Sequence, residues 1–332
     1  MSESIVRPPA ISIVIPVYNA SRSIGDTLTT VFAQTRTDYE VLLVDDGSAD
    51  RAALEQALAP WRHRIRLFRQ ANAGAGAARN LALAHARGRF VAFIDADHGW
   101  TPEFLARQVG LLESHADCDM VWSNGWIRGN TPLAGRTYFA TTGSVAAPTF
   151  RTLLMQTCTV LTSSVVVRRD VLDAVGRFDG RLRRGQDFDL WLRLAHRGIG
   201  MAARTEPLVW RRIHDQNLSG DSVTEIRRAM TVLEGIPRKL ALDASEISFV
   251  QQRLAQLNAQ LELELGKRAL RAGDIASAQD HLSRTQALGT WKVRAVVVAM
   301  RIAPGLLRRA YLRAHPLGPN ELATHDRPAT AV

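Results

Sequence analysis

Several short acidic and glycine-rich segments have residue types and spacings suited to chemistry. Asp95 and Asp97 form a D-x-D pair directly after the apolar run Val91-Ala92-Phe93-Ile94. Alternate residues of an extended strand project to one side, so both carboxylates can face the same way. Such a pair suits Mg²⁺ or Mn²⁺, which prefer oxygen ligands and leave their other positions to substrate phosphates and water. A solvated turn with a helix N-cap accounts for the same two residues without chemistry. Asp45 and Asp46 end a second apolar run and precede Gly47-Ser48. A turn with an N-capping Ser48 explains the serine but not two adjacent acids. One of them can accept a hydrogen bond from a base imide or a ribose hydroxyl.

In the segment Asn72-Ala73-Gly74-Ala75-Gly76-Ala77-Ala78-Arg79-Asn80, two glycines open an alanine-rich stretch. A dinucleotide fingerprint asks for a small residue where Arg79 stands and belongs in the first βα turn. Two readings remain. Backbone amides at a helix N-terminus approach a diphosphate, with Arg79 adding a charge-assisted contact, or the glycines make a plain turn. Asp187 and Asp189 lie in Gln186-Asp187-Phe188-Asp189-Leu190-Trp191. Acids in a first helical turn complement the helix dipole, and that turn can also hold a general base near a hydroxyl. Asp187 and Asp189 are both candidates for that base. His214 is either a ligand or a surface histidine.

These segments need a scaffold that presents them together. The short apolar runs at 11–17, 40–44, 65–69 and 90–94 alternate with helical patterns at 24–34 and 52–58, which reads as βαβα. Nearly all-apolar strands indicate a parallel sheet covered on both faces. Ligands then sit at the carboxyl ends of the strands, where Tyr18-Asn19, Asp45-Asp46 and Asp95-Ala96-Asp97 fall. A helix from about 101 to 114, strands at 120–122 and 165–167, and a helix over 187–195 follow, while 125–148 reads as a loop. Beyond about residue 220 strand signals stop, and Leu/Ala/Glu/Arg-rich helices occupy 223–285.

The 332 residues carry 46% hydrophobic and 22% charged residues, the balance of a globular protein. The formal charge of +10 favours an anionic partner. A basic nucleic-acid binder is disfavoured, because the cations are spread along the chain with few flanking aromatics and no zinc spacing. Two cysteines, Cys118 and Cys158, fit core thiols in a reducing compartment. The first ten residues lack the apolar core of a secretion signal, and the apolar run 295–300 is closed by Arg294 and Arg301, too short to cross a bilayer. The expected location is cytoplasmic.

Taken in order, Ile13-Val14-Ile15-Pro16-Val17-Tyr18-Asn19, Val44-Asp45-Asp46-Gly47-Ser48, the 72–80 segment, Asp95-Ala96-Asp97 and Gln186-Asp187-Phe188-Asp189-Leu190-Trp191 resemble the family 2 glycosyltransferases of the GT-A fold. The likeness covers roughly residues 9–220. It implies an α/β fold with a Rossmann-like, mixed, mostly parallel sheet flanked by helices. Residues 1–8 would be a tail, 9–220 the catalytic domain and 221–332 an α-helical C-terminal extension. By resemblance, Pro16, Tyr18 and Asp45 or Asp46 line the base and ribose site, and Arg79 helps to hold the nucleotide. Asp95 contacts ribose or metal, and Asp97 ligates Mg²⁺ or Mn²⁺ bridging the diphosphate. Asp187 is the catalytic base, Trp191 belongs to the substrate site, and His214 helps to hold metal or diphosphate. The chain departs from the family pattern at His98, where another Asp is frequent, and at Gln186, where Glu is usual.

The implied enzyme is an inverting, metal-dependent hexosyltransferase. It would move a sugar from a nucleotide-diphosphate sugar, a UDP-sugar favoured, to a saccharide or lipid-linked saccharide acceptor in cell-surface polysaccharide or glycolipid assembly. A catalytically silent GT-A-like module that binds nucleotide sugar is the alternative. In the C-terminal third, residues 261–288 read as a helical hairpin, either one tetratricopeptide-like unit or a plain two-helix extension. Residues 291–313 hold Lys292, Arg294, Arg301, Arg308, Arg309 and Arg313 with no acid, which suits an anionic membrane surface on the inner face of the plasma membrane. Pro304 should break this segment in two.

Overall fold

The computed structural model describes residues 8–144, 147–213, 222–285 and 291–314, with side chains from 295 onward in the last stretch. Its strands are β1 (Ile11–Val17), β2 (Tyr39–Asp45), β3 (Ile65–Arg69), β4 (Phe90–Phe93), β5 (Gly99–Trp100), β6 (Met120–Gly129), β7 (Val166–Arg168) and β8 (Met201–Ile213). The helices interleaved with them are α1 (Ile24–Phe32), α2 (Arg51–Leu58), α3 (Ala75–His85), α4 (Phe104–Ser114), α5 (Tyr138–Thr142), α6 (Phe150–Leu154), α7 (Arg169–Ala174) and α8 (Gln186–His196). After β8 come α9 (Ser222–Gly235), α10 (Ala244–Ala272), α11 (Ile275–Ser283), α12 (Trp291–Ile302) and α13 (Pro304–Ala314).

The strands form one sheet in the order β3-β2-β1-β4-β7-β6-β8-β5. The first four in that order run parallel. β7 opposes β4 and β6, and β5 opposes β8. The sheet is therefore mixed and mostly parallel, as its sequence class implies. Burial explains the apolar runs: Ile11, Ile13, Val14 and Ile15 of β1 and Leu42, Leu43 and Val44 of β2 are all fully enclosed, because helices cover both faces of a parallel sheet. α1 contributes Ile24, Leu28 and Val31, spaced to form one apolar stripe.

The region expected to be a loop from 125 onward begins instead as the second half of β6, paired in parallel with β8. β8 escapes a sequence reading because it contains Pro207 and four charged residues, which demote a strand pattern. A register shift beside Asn124 and Gly125 absorbs the irregularity. There the Asn124 amide donates to the Thr205 carbonyl at 3.2 Å.

The chain divides into two compact units. The first comprises Met1–Gly220 and Val232–Ile247, the second Asp221–Thr231 and Ser248–Val332. In the second unit, Leu270, Ala278, Leu282 and Met300 form a small apolar cluster joining α10, α11 and α12, with Leu307 and Tyr311 of α13 packed against it. Gly273, at φ 87°, makes the α10–α11 turn, and Asp274 caps α11 by accepting from the Ser277 amide at 3.0 Å. α12 and α13 are split at Pro304 as anticipated. No helix among the described residues is long and apolar enough to cross a membrane.

Candidate active site

The candidate residues converge on the carboxyl ends of β1, β2 and β4, and the loops there are tied to one another. After β1, Asn19 adopts φ 50°, a conformation its short polar side chain tolerates. Its amide donates to Ser48 Oγ at 3.0 Å, and its side-chain oxygen accepts from the Ala49 amide at 2.7 Å. Pro16 is half-buried and Tyr18 is 54% exposed at this rim.

Asp45 and Asp46 are both buried, and they serve different local roles. Asp45 accepts from the Ser48 amide at 2.9 Å and lies 3.7 Å from the Arg69 guanidinium. Asp46 uses both oxygens to hold the glycine-rich loop. It accepts from Gln70 Nε2 at 2.7 Å and from the amides of Ala73 and Gly74 at 2.8 Å. Two adjacent acids thus have a structural explanation: one shapes its own turn and the other organises the neighbouring one.

The two glycines of that loop are needed for separate reasons. Gly74 has φ 94°, which L side chains avoid. Gly76 lets α3 approach α8, since a Cβ there would come within 2.8 Å of Gln186 Cγ. The side chain of Asn80 then locks the turn before α8. Its Nδ2 donates to the Phe178 carbonyl at 2.8 Å and its Oδ1 accepts from the Phe178 amide at 3.1 Å.

Arg79 is 4% exposed. Its Nη2 donates to Asp95 Oδ1 at 2.6 Å, while Nε and Nη1 are buried with no hydrogen-bond partner among the described residues. Unmet donors on a buried guanidinium are costly, and they suit an anionic or hydroxyl-rich ligand. Burial alone would raise the Asp95 pKa, but the charges of Arg79 and His98, with hydrogen bonds from Arg79 and Ser163, hold it below the usual carboxylate range.

The turn Thr162–Ser164 connects the two acidic motifs. Ser163 Oγ accepts from the Asp95 amide at 3.0 Å and lies 2.7 Å from His98 Nδ1. His98 Nε2 in turn is 3.6 Å from Asp97 Oδ1. The adjacent Thr162 donates from Oγ1 to Asp187 Oδ2 at 3.0 Å. Asp187 Oδ1 accepts from the Phe188 amide at 2.8 Å, which orients the carboxylate at the start of α8. Consecutive residues of one turn therefore touch Asp187 on one side and the D-x-D segment on the other. The sequence reading missed this turn; its only trace is three successive hydroxyl residues, Thr162-Ser163-Ser164, before a strand.

Asp189, the second candidate base, takes a different place. It is fully buried, accepts from Arg193 Nε at 2.9 Å and pairs with Lys239. Lys239 also reaches Asp179 at 2.8 Å. Hydrogen bonding from Arg181 outweighs burial, and with Lys239 holds the Asp179 carboxyl well below its ordinary range. A carboxylate enclosed between two cations cannot meet an acceptor, so Asp189 anchors α8. Trp191 is 3% exposed and stands edge-on to Phe178, with ring centroids 6.4 Å apart. Phe178 in turn lies 5.4 Å from the Arg79 guanidinium carbon. The indole thus backs Arg79 through Phe178, its Nε1 buried with no hydrogen-bond partner among the described residues. His214 lies outside the described residues.

Among the described residues no group of three or more His, Cys, Asp or Glu side chains is gathered as a cation cage. Asp95 and Asp97, which approach His98 at its two different ring nitrogens, are the two carboxylates of this segment that could take part in holding Mg²⁺ or Mn²⁺ with substrate phosphates and water.

Comparison with known proteins gives this arrangement a context. The family described as Glycosyl transferase family 2 matches residues 12–175. An uncharacterized glycosyltransferase of Nostoc sp. is 33% identical over 175 residues, 51% of this chain. That match spans 54%, about half, of the Nostoc protein's own length. The UDP-Glc:alpha-D-GlcNAc-diphosphoundecaprenol beta-1,3-glucosyltransferase of Escherichia coli is 28% identical over 227 residues, covering 67% of this chain and 85% of that protein. The fold is similar to that of a mannosyltransferase from Pyrobaculum calidifontis solved with GDP-Man and Mn2+. The TM-score is 0.58 at 18% identity, covering 93% of this chain and 86% of the other.

Proposed function

We propose that this chain, which belongs to glycosyl transferase family 2 through residues 12–175, moves a sugar from a nucleoside-diphosphate sugar to an acceptor hydroxyl with inversion at the anomeric carbon. The observation that carries the reading is the Thr162–Ser163 turn, which bonds to Asp187 and to the Asp95 segment at once. A proton acceptor and a diphosphate-binding carboxylate pair at one place are what a single displacement needs.

Asp187 receives the acceptor hydroxyl proton on its carboxylate as that oxygen attacks the anomeric carbon. Thr162 and the Phe188 amide hold the carboxylate in position. Arg79 directs its unmet donors toward the nucleotide and steadies Asp95. Asp97, with Asp95 beside it, would hold Mg²⁺ or Mn²⁺, and His214 would assist at metal or diphosphate. The bound cation supplies Lewis-acid neutralisation of the charge growing on the leaving diphosphate. Pro16, Tyr18 and Asp45 or Asp46 line the base and ribose side.

The favoured donor is a UDP-sugar and the favoured acceptor a saccharide, free or lipid-linked, in surface polysaccharide or glycolipid assembly. The relative acting from UDP-Glc on a diphosphoundecaprenol-linked sugar supports both choices. A thermal-shift panel of UDP-, GDP- and dTDP-sugars with Mn²⁺ tests the donor. A UDP-sugar at a hundred times its Kd should stabilise the protein by about 2.7 kcal/mol, a rise of about 5 °C or more. Stabilisation by the GDP- or dTDP-sugar instead would reassign the base, and no shift with any of them would remove the donor reading.

A further inference from the structure

α12 and α13 are apolar on two sides, and among the described residues only one side is occupied. Val296, Val297, Met300, Leu307 and Tyr311 turn toward the cluster built on Leu270, Ala278 and Leu282. Arg308 goes with that inner side. Its Nε donates to the Leu270 carbonyl at 3.0 Å and its Nη2 to the Arg271 carbonyl at 3.3 Å, closing the C-terminal end of α10. A cation that the sequence assigns to a basic surface is therefore a helix cap.

The outer side should be polar in a helix that merely covers a core. Instead Val298 is 53%, Ile302 78% and Leu306 67% exposed. Among them stand the exposed Arg301, Arg309 and Arg313, and no acid occurs anywhere from 291 to 314. Spacings of three and four residues put 298, 301 and 302 on one helical face, and 306, 309 and 313 on the other helix's face.

We infer that this outer face of α12 and α13 docks on an anionic lipid bilayer, with Val298, Ile302 and Leu306 entering the headgroup boundary and Arg301, Arg309 and Arg313 pairing with lipid phosphates. Aliphatic tips set among arginines, without one acid, match both parts of that surface. A second copy presenting the same face would set arginine against arginine. Nucleic acid would leave the three aliphatic side chains without a partner.

The inference goes beyond the donor chemistry, and its test contains no nucleotide, so the two can fail separately. The full chain is co-sedimented with phosphatidylcholine vesicles, with or without phosphatidylglycerol, at low and high salt. Wild type should pellet with the anionic vesicles and be released by salt, because the Debye length shrinks. Each exposed arginine contributes about fivefold to partitioning, so the triple variant Arg301→Gln, Arg309→Gln, Arg313→Gln should lose about a hundredfold. Ile302→Ser with Leu306→Ser should lose about tenfold. Both sets are exposed, and matching thermal melts would establish intact folding. Pelleting of the triple variant equal to wild type, equal pelleting on neutral vesicles, or no pelleting of wild type overturns the inference. Oligomerisation without vesicles that Ile302→Ser with Leu306→Ser abolishes would also overturn it, and would assign the face to a second copy.

Discussion

Asp187→Asn is expected to lower sugar transfer by about a hundredfold or more while leaving donor affinity nearly unchanged. A positioned general base contributes about 10² to 10⁴ in rate, and the amide removes basicity while keeping size. The amide oxygen can still accept from Thr162 or from the Phe188 amide, the two donors that orient the native carboxylate. The start of α8 should therefore survive, and the melting temperature should change by no more than a few degrees. Initial rates and donor Kd for the two proteins separate the outcomes. Turnover comparable to wild type would remove Asp187 from the base role. Asp189 could not inherit it, being fully enclosed by Arg193 and Lys239.

Asp97→Ala should abolish the cation dependence of donor binding. In the wild type, calorimetric titration of nucleoside diphosphate should show at least tenfold tighter binding with Mn²⁺ than without. The variant should bind with one weak affinity under both conditions, and its turnover should fall about a hundredfold or more, since the developing diphosphate charge is no longer neutralised. Asp97 is the better target of the pair because Asp95 already accepts a 2.6 Å hydrogen bond from Arg79; its removal would also orphan a buried guanidinium. Equal affinities in wild type and variant, with metal or without, would remove the metal role from Asp97.

Much of the site was legible because parallel strands announce themselves. Runs such as Val41-Leu42-Leu43-Val44 and Val91-Ala92-Phe93-Ile94 are apolar throughout, and whatever follows them lies at the ligand end of the sheet. The acids at 45, 46, 95 and 97 stand out in this way, and Asp187 by its place in a first helical turn. What stayed hidden depends on contacts between segments distant in sequence. That Asp46 also holds the amides of Ala73 and Gly74 has no signal in its own segment. Gly76 looks like a phosphate-loop glycine, yet its bare Cα admits Gln186. The Thr162–Ser163 link and the Asn80–Phe178 lock join residues with no local pattern. β8 was missed because Pro207 and its charges break the strand signature that its pairing with β6 overrides. Arg308 shows the converse case, a surface-type residue turned inward to close α10.

The most direct measurement is release of nucleoside diphosphate from UDP-, GDP- and dTDP-sugars in Mn²⁺, with and without saccharide and lipid-linked saccharide acceptors, by wild type and Asp187→Asn side by side. The account predicts that wild type releases UDP from at least one UDP-sugar, faster when an acceptor is present, and that Asp187→Asn is slower by about a hundredfold or more. Donor binding with no diphosphate released from any sugar nucleotide would contradict it and would leave a nucleotide-sugar binding module in its place.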